Sequence, residues 1–129
     1  MNKIIAVDFD GTCVTHDYPR VGTDVPDAVR ILKRLNENNV KIIVWTMRCG
    51  KYLDEDARNW FESNEIEVWS YNLNPEQSSW SESPKCYAHL YIDDAALGCP
   101  LIYPEDGARP FVDWEEVENL LEERGFLNQ

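Results

Sequence analysis

The sequence is short of basic residues, of long apolar runs and of histidine. It contains 12 Lys and Arg residues against 24 Asp and Glu residues, which gives a formal net charge of −12. Nucleic acids and anionic membranes attract basic surfaces, so this balance disfavours broad nonspecific binding to either partner. The acidity still leaves room for one local basic pocket that receives a phosphate group.

No apolar run approaches the length of a membrane span, and Asp8 and Asp10 stand where a secretory signal would have its apolar core. We therefore expect a soluble, cytoplasmic protein with no membrane partner. Its four cysteines are then expected to be free thiols, and their spacing with the two histidines lacks the repeat of a zinc site. With 129 residues, 43% hydrophobic and 28% charged, residues 1–129 are expected to form one globular domain.

Hydrophobic periodicity predicts alternating strands and helices. Thr23 or Asp24 is expected to cap the first helix, with Pro26 in its first turn. Asp113 and Glu116 form a capping-box pattern for the last helix. In chain order, we expect strands at residues 4–7, 40–45, 66–71, 89–92 and 101–103, helices at about 24–35, 54–63 and 114–124, and a polar loop at 72–84. This order predicts a Rossmann-like three-layer α/β/α sandwich with a mainly parallel sheet.

The first strand runs directly into Asp8-Phe9-Asp10-Gly11-Thr12. Side chains two residues apart on a strand point to the same face, so the two carboxylates are expected to repel each other unless a cation or a shared proton relieves them. An oxygen-liganded divalent ion such as Mg²⁺ is therefore the expected companion. The ordinary alternative is a solvated turn, since Asp and Gly are common turn residues.

Polar residues also follow two later strands of the predicted sheet. Thr46-Met47-Arg48 follows one of them, and Asp93-Asp94 follows another. Because the carboxyl ends of parallel strands meet at one edge of the sheet, we expect these groups to lie beside the first motif. Taken singly, Thr46 could be an ordinary hydroxyl at a strand end, and either paired acid could be a helix cap.

These residues resemble the four motifs of the haloacid dehalogenase-like phosphohydrolase superfamily. DFDGT at residues 8–12 matches the first motif, Thr46 the second, Lys85 the third, and the paired acids Asp93 and Asp94 the fourth. The resemblance implies that Asp8 is the nucleophile and becomes an aspartyl-phosphate. It also implies that Asp10 is the general acid and base, and that its backbone carbonyl helps to bind Mg²⁺.

By the same resemblance, Thr46 hydrogen-bonds the transferring phosphoryl group and Lys85 neutralises its charge. Asp94 is favoured as the direct metal ligand, with Asp93 behind it. The chemistry agrees, because a carboxylate and a phosphoryl dianion repel, and Mg²⁺ together with Lys85 supplies the compensating charge. The alternative for Lys85 is a solvated surface lysine.

The sequence has little room for the cap domain that such enzymes insert between these motifs. It is most similar to short capless members with a WTMR-like second motif, which include relatives of the phosphatase half of polynucleotide kinase-phosphatases. By this resemblance, Arg48 contacts either the phosphate of the substrate or the remainder of the substrate. An open site suits a nucleotide, a nucleic-acid end or another phosphomonoester with its own bulk, or else a site closed by a neighbouring subunit in a homo-oligomer.

The leading hypothesis is a Mg²⁺-dependent phosphomonoester hydrolase. The alternatives are a phosphotransferase, a small-metabolite phosphatase closed by oligomerisation, and an inactive binding or regulatory domain of the same fold. Cys13, Cys49 and Cys86 each follow a motif residue, so we expect these thiols near the site, with the pKa of one lowered by Lys85 and with mild oxidation inhibiting the enzyme reversibly. The alternative is that the three are small hydrophobic side chains that fill gaps. Trp80, in the polar loop, is expected either to stack on a base or to anchor the loop. His16 and His89 are expected to be structural.

Overall fold

The central strand of the sheet leads into the DFDGT motif. The computed structural model describes residues 3–129. Its main sheet has four parallel strands in the order β3-β2-β1-β4, and the predicted Rossmann-like α/β fold with a mainly parallel sheet is confirmed. In chain order these strands are β1 Ile4–Val7, β2 Lys41–Val44, β3 Ser70–Tyr71 and β4 Leu90–Ile92.

The two faces of the sheet are covered differently. Ile5 and Val7 of β1 face a large core that includes the buried residues of α1 (Ala28–Glu37), α2 (Arg58–Ser63) and α3 (Trp114–Glu123). Ile4 and Ala6 face the opposite side, where they pack with Ile43, Cys86 and Ala88. In the described chain, this second face is covered by the segment between β3 and β4, whose one regular element is a 3-10 turn at Gln77–Ser79. The layer on this side is therefore thin and irregular.

The first helix begins later than its sequence pattern predicts. It starts at Ala28, after Asp27 with φ of 68°, and no side chain caps it. The Asp24 carboxylate accepts a hydrogen bond from Trp60 Nε1 at 2.8 Å, so it is not available to cap the helix. Backbone pairing between Thr15 and Thr23 also draws the preceding chain toward the loop that follows β1. The predicted cap is wrong because Asp24 instead bonds Trp60 and Thr23 instead pairs with Thr15.

The second helical segment begins as a π-helical turn at Tyr52–Ala57 and continues as α2. Its predicted inner residues, Trp60 and Phe61, are buried. The strand predicted at residues 66–71 is shortened to β3, because the Asn36 side chain takes both backbone hydrogen bonds of Glu67. The chain therefore joins the sheet only near its carboxyl edge.

The last elements lie outside the main sheet. The predicted strand near residue 101 is β5 (Leu101–Ile102), which pairs antiparallel with β6 (Phe111–Val112), a strand that was not predicted. The predicted cap of α3 is confirmed, because Asp113 Oδ1 accepts from the Glu116 amide at 3.3 Å. Glu118 of α3 then bonds both Arg30 and Arg34 of α1.

No inserted cap domain interrupts the described residues: a loop and α1 separate β1 from β2, and a helical segment, β3 and a loop separate β2 from β4. None of the helices in this part of the chain has the length and apolar character that crossing a membrane requires.

Candidate functional site

Three carboxylates converge at the carboxyl ends of β1 and β4. The Asp8 amide donates to the Ile92 carbonyl at 2.9 Å, which continues the strand pairing and brings Asp8 beside Asp93 and Asp94. One carboxylate oxygen from each of the three residues lies within 4.8 Å of the others. The predicted meeting of the first and fourth motifs at one sheet edge is therefore observed.

This crowding changes the titration of Asp8. Burial, then a hydrogen bond with the Asp94 side chain and the negative charges of Asp93 and Asp94, raises the pKa of Asp8 to about 8. Negative charges this close together favour a protonated Asp8 carboxyl group. A bound cation would offset the repulsion and allow Asp8 to ionise. The cluster consists of hard oxygen donors, which are the ligands that Mg²⁺ prefers.

Thr12 connects the two acidic motifs. Its side chain is fully buried, and its hydroxyl donates to Asp8 Oδ2 at 3.1 Å while accepting from the Asp94 amide at 3.3 Å. Its carbonyl accepts from Trp114 Nε1 of α3 at 2.7 Å. Thr12 therefore fixes the Asp8 side chain relative to β4 and to the helical layer.

His16 contacts the site, although nothing in the sequence indicated this contact. Its Nε2 lies 2.7 Å from Asp94 Oδ2. The other histidine is structural, as predicted, because His89 Nδ1 accepts from the Ile4 amide at 3.0 Å. No spacing pattern distinguishes the two histidines, so the contact of His16 could not be found without the fold.

The Asp10 carboxylate is not part of the cluster formed by Asp8, Asp93 and Asp94. Arg48 Nε and Nη2 donate to its two oxygens at 2.8 and 2.7 Å, so an ion pair balances the charge of this carboxylate. The expected shared face of Asp8 and Asp10 stays a prediction. The binding of Mg²⁺ by the backbone carbonyl of Asp10 stays a prediction.

Arg48 is 2% exposed and is not free to hold a phosphate in this conformation. Besides its two bonds to Asp10, it donates to the carbonyls of Pro19 and Arg20 at 3.2 and 2.8 Å. Its guanidinium carbon also lies 5.2 Å from the centre of the Phe9 ring. The expected phosphate contact is replaced by an ion pair that fixes the direction of the Asp10 carboxylate.

Thr46 lies beyond the end of β2, beside β3. Its amide donates to Asn72 Oδ1 at 2.7 Å, and its hydroxyl oxygen accepts from the Arg48 amide at 3.1 Å. Because the oxygen acts as acceptor, the hydroxyl proton remains available for a substrate oxygen. Asn72, which has φ of 55°, is a supporting residue that the sequence did not indicate.

Lys85 faces the same cavity as Asp8 and Asp93, about 310 Å³ in volume. Buried Gln77 holds the lysine's segment, because its side chain donates to the Lys85 carbonyl at 2.8 Å and accepts from the Tyr87 amide at 2.7 Å. Lys85 is exposed to solvent and lines the cavity that holds the nucleophile. Gln77 was missed because it lies in a polar, irregular loop.

The cysteines do not match their expected role. Burial, followed by the charges of Asp8 and Asp10, raises the pKa of Cys13 well above its usual value. Burial also raises the pKa of Cys86, so the expectation that Lys85 lowers it is wrong. A buried neutral thiol is a poor nucleophile, which removes the basis for oxidation of Cys13 and Cys86, while Cys49 is exposed.

Trp80 is 62% exposed and lies edge-on to Tyr87, with the ring centroids 5.6 Å apart. It does not line the cavity beside Asp8 among the described residues. The stacking of a base on Trp80 stays a prediction.

No protein-family model and no curated protein matches the chain. A solved structure of a conserved protein from Bacteroides thetaiotaomicron is similar to it, with 35% sequence identity and a TM-score of 0.78. The similarity covers 96% of this chain and 93% of that chain. The shared fold therefore includes both the sheet and the loops that carry the site.

Proposed function

The chain belongs to the same family as the conserved protein from Bacteroides thetaiotaomicron, and we propose that it is a Mg²⁺-dependent phosphomonoester hydrolase. We further propose that it is a short, capless relative of the haloacid dehalogenase-like phosphohydrolases. The observation that carries the proposal is the cavity shared by Asp8, Lys85 and Asp93, which combines a nucleophile, a cation and a candidate metal ligand.

Asp8 is the proposed nucleophile. Its carboxylate oxygen forms a bond to phosphorus while the bond from phosphorus to the leaving oxygen breaks, which gives an aspartyl-phosphate. Water then attacks this phosphorus, releases inorganic phosphate and restores the Asp8 carboxylate. Thr12 holds the attacking carboxylate, since its hydroxyl lies 3.1 Å from Asp8 Oδ2.

Asp10 is the proposed proton carrier, which gives a proton to the leaving oxygen and later takes one from the attacking water. This role rests on the resemblance in sequence. Arg48 orients the Asp10 carboxylate by its two hydrogen bonds.

Thr46 and Lys85 are the proposed phosphate contacts, through a free hydroxyl proton and a positive charge. Asp8, Asp93 and Asp94 would hold Mg²⁺, with His16 orienting Asp94 by their 2.7 Å contact. When bound, the ion supplies charge that offsets the repulsion between the carboxylates and the phosphoryl oxygens. Asp8 then no longer needs to share a proton with its neighbours.

The test is hydrolysis of an aryl phosphate by wild-type protein in Mg²⁺ and in EDTA, and by Asp8→Asn in Mg²⁺. We expect turnover that requires the ion and falls at least about 10³-fold in the variant, because the covalent step is lost. Mass spectrometry of the acid-quenched wild-type protein should show one added phosphoryl group. Glu123→Gln, on the exposed side of α3, is the control for loss of a carboxylate.

Wild-type turnover by Asp8→Asn would overturn the proposed nucleophile. A folded protein that binds Mg²⁺ but hydrolyses no phosphate ester would favour the inactive binding domain instead.

A further inference from the structure

The cavity beside Asp8 continues past the proposed reaction centre along the second face of the sheet. Its charged end carries Asp8, Lys85 and Asp93, and the remainder is lined by apolar and aromatic side chains that include Ala6, Trp45 and Tyr91. The proposed phosphatase chemistry uses only the charged end. The aromatic part therefore requires a separate explanation.

Strand register explains the shape of the aromatic part. Tyr91 of β4 pairs with Ala6 of β1, and the Trp45 amide donates to the Val7 carbonyl, just beyond the end of β2. The two aromatic residues thus flank β1 from opposite sides. Between them lies Ala6 of β1, which is buried and forms part of the cavity wall. Asp8 follows two residues later, on the same face as Ala6.

Tyr91 is held in place before any ligand arrives. Its hydroxyl donates to the Cys86 carbonyl at 2.6 Å, while its side chain remains 40% exposed. Lys85 Nζ lies 5.7 Å from the centre of the same ring. On the other side, Trp45 packs against the buried residues of the second face, among them Ile43 and Cys86. Aromatic walls that are already ordered lose little conformational entropy on binding a ring.

We propose that this aromatic part of the cavity binds a planar ring in the leaving group of the substrate, next to the phosphoryl group on Asp8. The proposal rests on the phosphatase function proposed above and specifies its substrate class as phosphomonoesters with an aromatic leaving group. The cavity volume of about 310 Å³ is at the lower end of the range for small-molecule sites. It fits one substituted ring or base.

Charge favours a small substrate over a nucleic-acid end. Lys85 is the one cation among the residues that line this cavity in the described chain, against the carboxylates of Asp8 and Asp93. A neighbouring cavity, which shares Trp45, is lined by Glu82 and neutral residues. A polynucleotide would need cations beyond the reaction centre for its further phosphates. The ring is therefore expected on a mononucleotide or an aryl ester.

The test compares kcat/KM for phenyl phosphate and for glycerol phosphate in wild type, Tyr91→Leu and Tyr91→Phe. For each variant we take the ratio of kcat/KM for phenyl phosphate to kcat/KM for glycerol phosphate. A loss of folded protein lowers both values equally, so it leaves the ratio unchanged. We expect wild type to favour the aryl ester and Tyr91→Leu to lower the ratio by about fivefold to tenfold. Tyr91→Phe, which keeps the ring but loses the bond to the Cys86 carbonyl, should lower it by less. Trp45→Leu and Trp45→Phe form a second matched pair. Tyr103→Leu is the control, because Tyr103 is an exposed aromatic residue that does not line this cavity.

Two further substrates test whether the ring belongs to a small molecule or to the end of a nucleic acid. A nucleoside monophosphate should be hydrolysed better than the same base at the phosphorylated end of an oligonucleotide. The reverse order would overturn the small-substrate proposal, and a ratio that is equal in wild type and Tyr91→Leu would overturn the ring subsite. Either result would leave the phosphatase function intact.

A protein without phosphatase activity would give a different set of results. If no ester is hydrolysed, binding of phenylphosphonate and methylphosphonate by titration calorimetry still tests the subsite. Tighter binding of the phenyl compound that Tyr91→Leu abolishes would support the ring subsite and reject the enzyme. Equal binding of the two compounds would overturn the subsite as well.

Discussion

Gly11 lies where the loop after β1 passes closest to the carboxylate site. Its φ is +83°, and a Cβ at this position would overlap His16 Nε2 and lie 2.5 Å from Asp94 Oδ2. Its amide and carbonyl also pair with Val14 and Val112. The residue therefore combines a backbone conformation that suits glycine with a packing requirement imposed by the site.

We predict that Gly11→Ala lowers stability and Mg²⁺ affinity together. Gly107→Ala is a matched control, because Gly107 has φ of +81° and no other atom lies within 4 Å of the point that its Cβ would occupy. We expect Gly107→Ala to cost about 1 kcal/mol of unfolding free energy and Gly11→Ala about 2 to 3 kcal/mol more. Urea unfolding and Mg²⁺ titration calorimetry measure the two effects. Equal losses in both variants, with Mg²⁺ affinity unchanged, would contradict this role of Gly11.

At the scale of elements, the site depends on a segment without regular structure. Gln77 is 7% exposed and bridges the 3-10 turn to the chain at Lys85 and Tyr87. It also donates to the Ser83 carbonyl at 3.2 Å. The segment has no helix here, so the hydrogen bonds of the Gln77 side chain hold it over the second face of the sheet.

We predict that Gln77→Ala releases Lys85 from the site. The Tyr87 amide would lose its acceptor, so its hydrogen exchange should become faster while the amides of β1 keep their protection. The kcat/KM for a phosphate ester should fall by about tenfold, since a mobile lysine is a poor partner for the phosphoryl group. Ser79→Ala is the control, because its exposed hydroxyl bonds only the Glu76 carbonyl within the same turn. Unchanged Tyr87 exchange in Gln77→Ala would refute the bridging role.

The elements also show what the sequence could predict. Asp8 and Asp93 could be placed together because each directly follows an apolar strand, and parallel strands align their ends. The same argument places Thr46 beside them, but Thr46 is not among the residues that line their cavity. The cap of α3 could be predicted because it involves residues three apart. These inferences use local pattern and one general property of parallel sheets.

The supporting contacts could not be predicted in this way. Arg48 and Asp10 are 38 residues apart, and their pairing depends on how the loop after β1 folds back over β2. The contact between His16 and Asp94 joins residues 78 apart. Nothing in composition or spacing specifies such partners, so the sequence alone predicts a substrate contact for Arg48 and only a structural role for His16.

For the molecule as a whole, the carboxylate site connects stability, proton binding and Mg²⁺ binding. Asp8 has a pKa of about 8 in the folded protein, against an ordinary value of 3.8. Between these two values the folded state holds a proton that the unfolded state has lost. The unfolding free energy of the metal-free protein should therefore fall as pH rises from about 4 to 8. Above about 9 it should fall further, because the buried Cys13 thiol keeps its proton in the folded state while the unfolded state loses it. Glu118 does not obscure this trend, because its pKa is lowered to about 2 and it acts below that range.

We predict that Mg²⁺ binding at pH 7 releases about one proton, because Asp8 must ionise to serve as a ligand. Titration calorimetry in buffers of different ionisation enthalpy counts the proton directly. Mg²⁺ affinity should rise with pH up to about 8, and saturating Mg²⁺ should stabilise the protein most at the high end of this range.

Asp8→Asn separates the titration of this one carboxyl group from a general effect of acidity. The variant lacks the titrating group but keeps Asp93 and Asp94, so its stability in EDTA should vary little between pH 5 and 8, and any Mg²⁺ binding should release no proton. If its stability instead declines with pH as steeply as that of wild type, the dependence belongs to the overall excess of acidic residues. Since that excess is spread over the whole surface, added monovalent salt would then reduce the decline in both proteins alike.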